Sequence, residues 1–117
     1  MKTIIAGSRN ITDYNIVVEA VYASKFDITG IVSGRARGVD QLGEQYAKEH
    51  NLKIHEFPAD WDKFGKSAGY IRNKEMAKYA DVLIAIWDGK SKGTKHMIDL
   101  GHKHLLEVFV YQINALF

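Results

Sequence analysis

The sequence predicts a single three-layer α/β domain, residues 1–117, on a mostly parallel five-stranded sheet. Short apolar or β-branched runs alternate with helix-period segments along the whole chain. The helical stretches are about 12 residues long, enough for right-handed β-helix-β crossovers that cover both sheet faces. The runs close on glycine, proline or polar turns. The simplest strand order is 3-2-1-4-5, which puts the topological switch between the first and fourth strands, and ligands of such sheets sit at the carboxyl ends of the strands around that crevice.

Thr3 to Ala6 reads as a buried first strand closed by Gly7-Ser8-Arg9. Thr12 or Asp13 caps a helix whose apolar residues Tyr14, Val17, Val18, Val21 and Tyr22 repeat at helical spacing. The second strand, Ile28 to Ser33, runs into Gly34-Arg-Ala-Arg-Gly38 and then a helix with Val39, Leu42, Tyr46 and Ala47 on one face. Leu52 to Phe57 alternates apolar and polar residues, as expected near a sheet edge, and Pro58 ends it. Ala59 to Lys66, with Asp60, Trp61, Asp62 and Phe64, has no period and reads as a functional loop. Ser67 opens a helix through Arg72, Met76 and Ala77 to Ala80. Val82 to Ile86 is the most apolar strand and suits the sheet centre; it ends in Trp87-Asp88-Gly89. A Lys/Ser/Gly loop leads to Gly93-Thr94, a last helix through Ile98 and Leu105, and a fifth strand, Val108 to Tyr111.

Composition bounds the function. The chain has one proline and no cysteine, which excludes disulfides, thiolate metal sites and a cysteine nucleophile. A net charge of +2 with interspersed signs gives no general nucleic-acid patch. No signal peptide or membrane span is visible, so a cytoplasmic location and no membrane partner are expected. The five histidines show no metalloprotease spacing, and neither a metal nor a cofactor is expected.

In the predicted topology, Gly7, Ser8 and Arg9 leave the first strand beside Ser33, Gly34, Arg35, Arg37, Gly38 and Asp40 from the second. Trp87, Asp88, Gly89, Gly93 and Thr94 arrive from the fourth. Glycines, hydroxyls, arginines and two helix N-termini on one rim suit a phosphate carrying a sugar and a base. Each piece has a plainer reading. Ser8 and Ser33 are also turn formers, single arginines are also solvated charge, Trp87 is also core, and Asp40 is also a first-turn acid set well against the helix dipole. Three arginines near two helix N-termini repel one another unless an anion joins them, and this favours a ligand. Arg72, early in its helix, calls for an acidic partner or ligand nearby. Asp60 and Asp62 cannot be placed across a substrate by spacing alone.

Gly7-Ser8-Arg9 with Ser33-Gly34-Arg35-Ala36-Arg37-Gly38-Val39-Asp40 resembles the Rossmann-like core of the DNA-processing protein DprA. Ile71-Arg72-Asn73-Lys74-Glu75-Met76-Ala77-Lys78-Tyr79-Ala80-Asp81, an apolar strand and Gly93-Thr94 resemble the LOG (Lonely Guy) phosphoribohydrolases. Both halves in one chain resemble the SLOG superfamily, and its YspA-like, cpYpsA-related branch in particular. The resemblance implies a Rossmann-like domain that binds a nucleotide or a phosphoribosyl or ADP-ribose-like derivative, as a sensor, sequestering or processing module. Gly34, Gly38, Gly93 and Thr94 would cradle phosphate, and Arg72 falls at the LOG catalytic arginine. The glutamate that LOG enzymes carry three residues after the threonine is replaced by Met97, and Asp99 points about 200° away around the helix. Hydrolysis by the LOG route therefore lacks its acid. Arg72, Asp40, Asp60 and Asp88 remain the catalytic candidates for an alternative N-glycosidase or phosphoribohydrolase reading. A second alternative is DprA-like single-stranded DNA binding, but without an evident aromatic and basic groove a nucleic-acid partner is not expected. A homo-oligomer is possible, with Tyr70, Tyr79 or residues 115–117 covered by a partner.

Overall fold

The computed structural model describes residues 1–113. Its centre is a five-stranded sheet in the order β3-β2-β1-β4-β5, parallel throughout. The strands are β1 (Lys2–Gly7), β2 (Gly30–Ser33), β3 (Lys53–Glu56), β4 (Val82–Trp87) and β5 (Glu107–Gln112). The helices are α1 (Tyr14–Ser24), α2 (Val39–Glu49), α3 (Trp61–Phe64), α4 (Ala68–Tyr79) and α5 (Lys92–Lys103). This is the α/β, Rossmann-like arrangement expected from the sequence, with β4 inside the sheet and β3 at an edge.

Alternation along the central strands sorts the core into two layers. Ile4, Ala6, Leu83 and Ala85 face α4 and α5, where they meet Met76, Ala77, Met97 and Ile98. Ile5, Ile84 and Ile86 face the other way, onto Val17, Ala20 and Val21 of α1 and Val39 and Ala47 of α2. Strands buried on both faces must be apolar at every position, which is why β1 and β4 read as continuous runs.

Several boundaries differ from the sequence reading. Strand β2 starts at Gly30, where pairing with Lys2 of β1 begins, so Ile28 and Thr29 lie outside it. The stretch from Ala59 to Lys66 is ordered: Asp60 accepts the Lys63 amide at 3.1 Å and caps the short α3, and a 3-10 turn, Gly65–Ser67, joins it to α4. A four-residue helix is too short to show a period, so the sequence spacing did not reveal it. In α1, Asp13 is the cap as expected, but the inward ridge is Val17, Ala20 and Val21, and Tyr22 is 86% exposed. The last helix stops at Lys103. Leu105 takes a left-handed conformation (φ 62°), with its amide on His102 and that of Leu106 on Gly101, a Schellman closure formed without glycine. Residues 115–117, suggested above as a partner surface, lie outside the described residues.

Candidate functional site

The carboxyl ends of β1 and β4 part at the topological switch and leave a cleft of about 560 Å³. Of the residues expected at the site, Gly7, Ser8, Arg9, Asp40, Arg72, Asp88, Gly93 and Thr94 line it. Met97, only 1% exposed, lines it as well and is anchored in the core, so this wall of the cleft carries a thioether and not an acid. Asp99 points outward and pairs with Lys95 at 2.9 Å.

Arg72 is the half-buried centre of the cleft. Its Nη1 donates to the Gly34 carbonyl, and its Nε donates to Asn73 Oδ1 at 2.9 Å. Asn73 in turn meets His96 Nδ1 at 3.2 Å, and His96 lies edge-on to Tyr70. The acidic neighbour that Arg72 called for is Asp40. A Cβ on Gly34 would stand 2.6 Å from Arg72 Nη1 and 2.8 Å from Asp40 Oδ2, so both groups approach because residue 34 has no side chain.

Burial pushes the Asp40 carboxyl up to about 6, against the opposing pull of the Ala36 amide at 3.2 Å and of the Arg72 charge. Burial, together with the positive charge of Arg9, lowers Arg72 below the ordinary guanidinium range, while Asp40 works the other way. Arg72 thus has in its surroundings both a second cation, Arg9, and a carboxyl group whose pKa is raised to about 6. This arrangement can hold an anion and can carry a proton beside it. At the far wall, Asp88 is lowered by the Ser91 and Lys90 amides, both at 2.8 Å. Ser91 caps α5, accepting from the Thr94 amide, and the Lys92 and Gly93 amides meet no acceptor among the described residues.

Asp40 makes stability depend on pH. Its folded value of about 6 lies above the ordinary 3.8, so its stabilising effect is complete below about pH 4 and is lost as the pH rises through 6. The shift corresponds to at most about 3 kcal/mol. Urea denaturation of Asp40→Asn should therefore lose up to that much less stability than the wild type between about pH 4 and pH 7. Parallel pH profiles for the two proteins would exclude this titration.

Other expected site residues lie elsewhere. Ser33 is buried and donates to Glu44 Oε2 at 2.6 Å. Arg35 turns away from the cleft, held by Glu44 at 2.5 Å and Glu56 at 3.4 Å. Its repulsion with the other arginines is thus relieved by acids that sequence spacing did not single out. Gly38 packs under the Ser8 and Arg9 backbone, and the first α2 amide, Val39, bonds to the Ser8 carbonyl at 3.4 Å. Both helix N-termini expected on the rim keep first-turn amides without an acceptor among the described residues: Lys92 and Gly93 in α5, Asp40 and Gln41 in α2. Trp87 donates its indole N–H to the Ser91 carbonyl at 3.1 Å and packs on the core, so it is no wall for a base, and Gly89 lies outside the cleft. Asp60 is a helix cap. Conversely, Asn10, Asn73, Lys90 and Ser91 line the cleft without having been singled out; they only adjoin residues that were.

A second cavity of about 340 Å³ adjoins the first. It is lined by Gly34, Arg35, Arg37, Pro58, Ala59 and Trp61, and it shares Arg9, Ala36 and Arg72 with the main cleft. Trp61 is 52% exposed.

Residues 1–64 match the model of the YspA, cpYpsA-related SLOG family. Gene 61 protein of Mycobacterium phage D29 is 32% identical over 105 residues, spanning 81% of this chain and 83% of that protein. The chain belongs to the YspA, cpYpsA-related SLOG family. The same fold occurs in DNA processing protein A (DprA) of Streptococcus pneumoniae (TM-score 0.79, 18% identity), with 98% of this SLOG chain matching 51% of that one. It occurs also in DprA of Helicobacter pylori (TM-score 0.65, 23% identity, 94% of this chain, 64% of that one). The SLOG chain therefore spans only half to two-thirds of these DprA chains.

One sequence-based expectation falls here. The Helicobacter pylori protein is described by its single-stranded DNA binding mode, so nucleic acid is not set aside as a partner for this fold. The ground for that expectation, the lack of an aromatic and basic groove, goes as well. Trp61 stands with Arg9, Arg35, Arg37 and Arg72 around one cavity, although these residues are scattered in the sequence. Among the described residues, no helix is long and apolar enough to cross a membrane.

Proposed function

We propose that the cleft between β1 and β4 binds the phosphate of a nucleotide or nucleotide-derived molecule. The observation that carries this reading is the pair Arg9 and Arg72, which line one cleft together with the Ser8 hydroxyl and the free first-turn amides of α5. A phosphate there relieves the repulsion between the guanidinium groups and takes up the helix-end amides. The SLOG family membership and the position at the topological switch support the same reading.

A nucleic-acid strand is the second reading. It is favoured by the arginine-rich cavity beside Trp61 and by the likeness to DprA. The two separate in a thermal-shift experiment with adenosine, AMP, ADP-ribose and a deoxyadenylate oligomer. Saturating AMP or ADP-ribose should raise the melting temperature where adenosine does not. A shift with the oligomer alone, lost steeply with added salt, would transfer the assignment to a strand. Chromatography of the same mixtures shows whether the ligand stays intact. Released adenine would give Asp40 a role as proton carrier in glycosidic cleavage.

A further inference from the structure

We infer that the two adjoining cavities form one bipartite site, for two nucleosides joined through phosphate, with one base stacked on Trp61. This inference rests on the phosphate reading of the main cleft. Arg9, Ala36 and Arg72 line both cavities, so the two spaces adjoin at these residues. A phosphate held by Arg9 and Arg72 therefore sits where the two cavities adjoin. A mononucleotide fills one side, whereas a pair of nucleosides linked through that phosphate fills both.

The second cavity has what an aromatic base needs. Trp61 is half exposed although it opens a helix capped by Asp60, and its ring edge reaches Gly69 of α4. A Cβ at Gly69 would lie 3.6 Å from the indole and 3.7 Å from Arg72 Nη2, so the aromatic ring and the guanidinium group flank the same bare backbone position. Stacking on an exposed indole beside a cation is a general way to hold a base. The lining of this cavity contains no acidic residue, and Arg37 makes no ion pair among the described residues. A free dinucleotide and a nucleic-acid strand present the same chemistry to such a site.

The test is calorimetric titration of the whole chain with AMP, a pyrophosphate-linked diadenosine, the phosphodiester dinucleotide pdApdA and a longer deoxyadenylate. At least one dinucleotide should bind about tenfold or more tightly than AMP, the yield of one stacked base. Trp61→Ala and Arg37→Ala should each shrink that ratio, and Trp61→Phe should largely restore it. Affinity that stops rising at two nucleosides identifies a free dinucleotide. Affinity that keeps rising with length and falls steeply with salt identifies a strand, and both outcomes support the bipartite site. Dinucleotides no tighter than AMP, or a ratio unchanged in Trp61→Ala, overturn it and leave the phosphate reading intact. Failure of AMP and every dinucleotide to bind overturns both.

Discussion

Replacing Gly93 by aspartate should abolish nucleotide-induced stabilisation while leaving the free protein as stable as before or slightly more so. The two effects separate because of where Gly93 lies. A Cβ there meets nothing within 4 Å, so the new side chain disturbs no packing. It stands in the first turn of α5, where a carboxylate against the helix dipole contributes about 0.3–1 kcal/mol. Gly93 lines the cleft that is proposed to take phosphate, so a carboxylate there should repel a bound anion and compete for the Lys92 and Gly93 amides. With ligand at a hundred times its dissociation constant, the wild type gains about 2.7 kcal/mol, and the variant should gain close to none. A variant that keeps its full ligand-induced shift would place the phosphate away from α5. One that unfolds would show that Gly93 is packed, against the geometry.

Gly38→Ala should cost about 4 kcal/mol of folding stability. Gly38 has φ 77°, and a Cβ on it would sit 2.5 Å from the Ser8 carbonyl oxygen and 2.6 Å from the Arg9 Cα. Left-handed strain and overpacking against backbone that cannot move aside add together. Gly34→Ala makes the informative comparison. Its Cβ would meet the ends of the Arg72 and Asp40 side chains, which can retreat, so it should fold more stably than Gly38→Ala but bind nucleotide poorly. Chemical denaturation of both variants measures the difference. Equal losses would mean that the two glycines serve the same purpose.

These glycines show how far the sequence could be read. A β-branched run closing on Ser33-Gly34 and restarting at Gly38 correctly located a strand-to-helix turn at the carboxyl end of β2. It did not show what the glycines approach, which is the chain itself: the Ser8–Arg9 backbone at one and the Arg72–Asp40 pair at the other. Arg35 and Arg37 look alike in sequence, yet one is held by Glu44 and Glu56 and the other makes no ion pair among the described residues. Such partners lie nine or more positions away and follow from how α2 and β3 pack, which no local spacing encodes.

By itself the sequence determined the layers, the parallel strand order and the rim on which Ser8, Asp88 and Thr94 meet. Periodicity and turn chemistry are local, and parallel crossovers leave few ways to arrange them. Only the tertiary structure decided which of the four arginines keep their charge free and that Trp61 stands beside Arg72. Each of these depends on distances between segments far apart in the chain. Burial and charge pairing are properties of those distances and not of the residues one at a time.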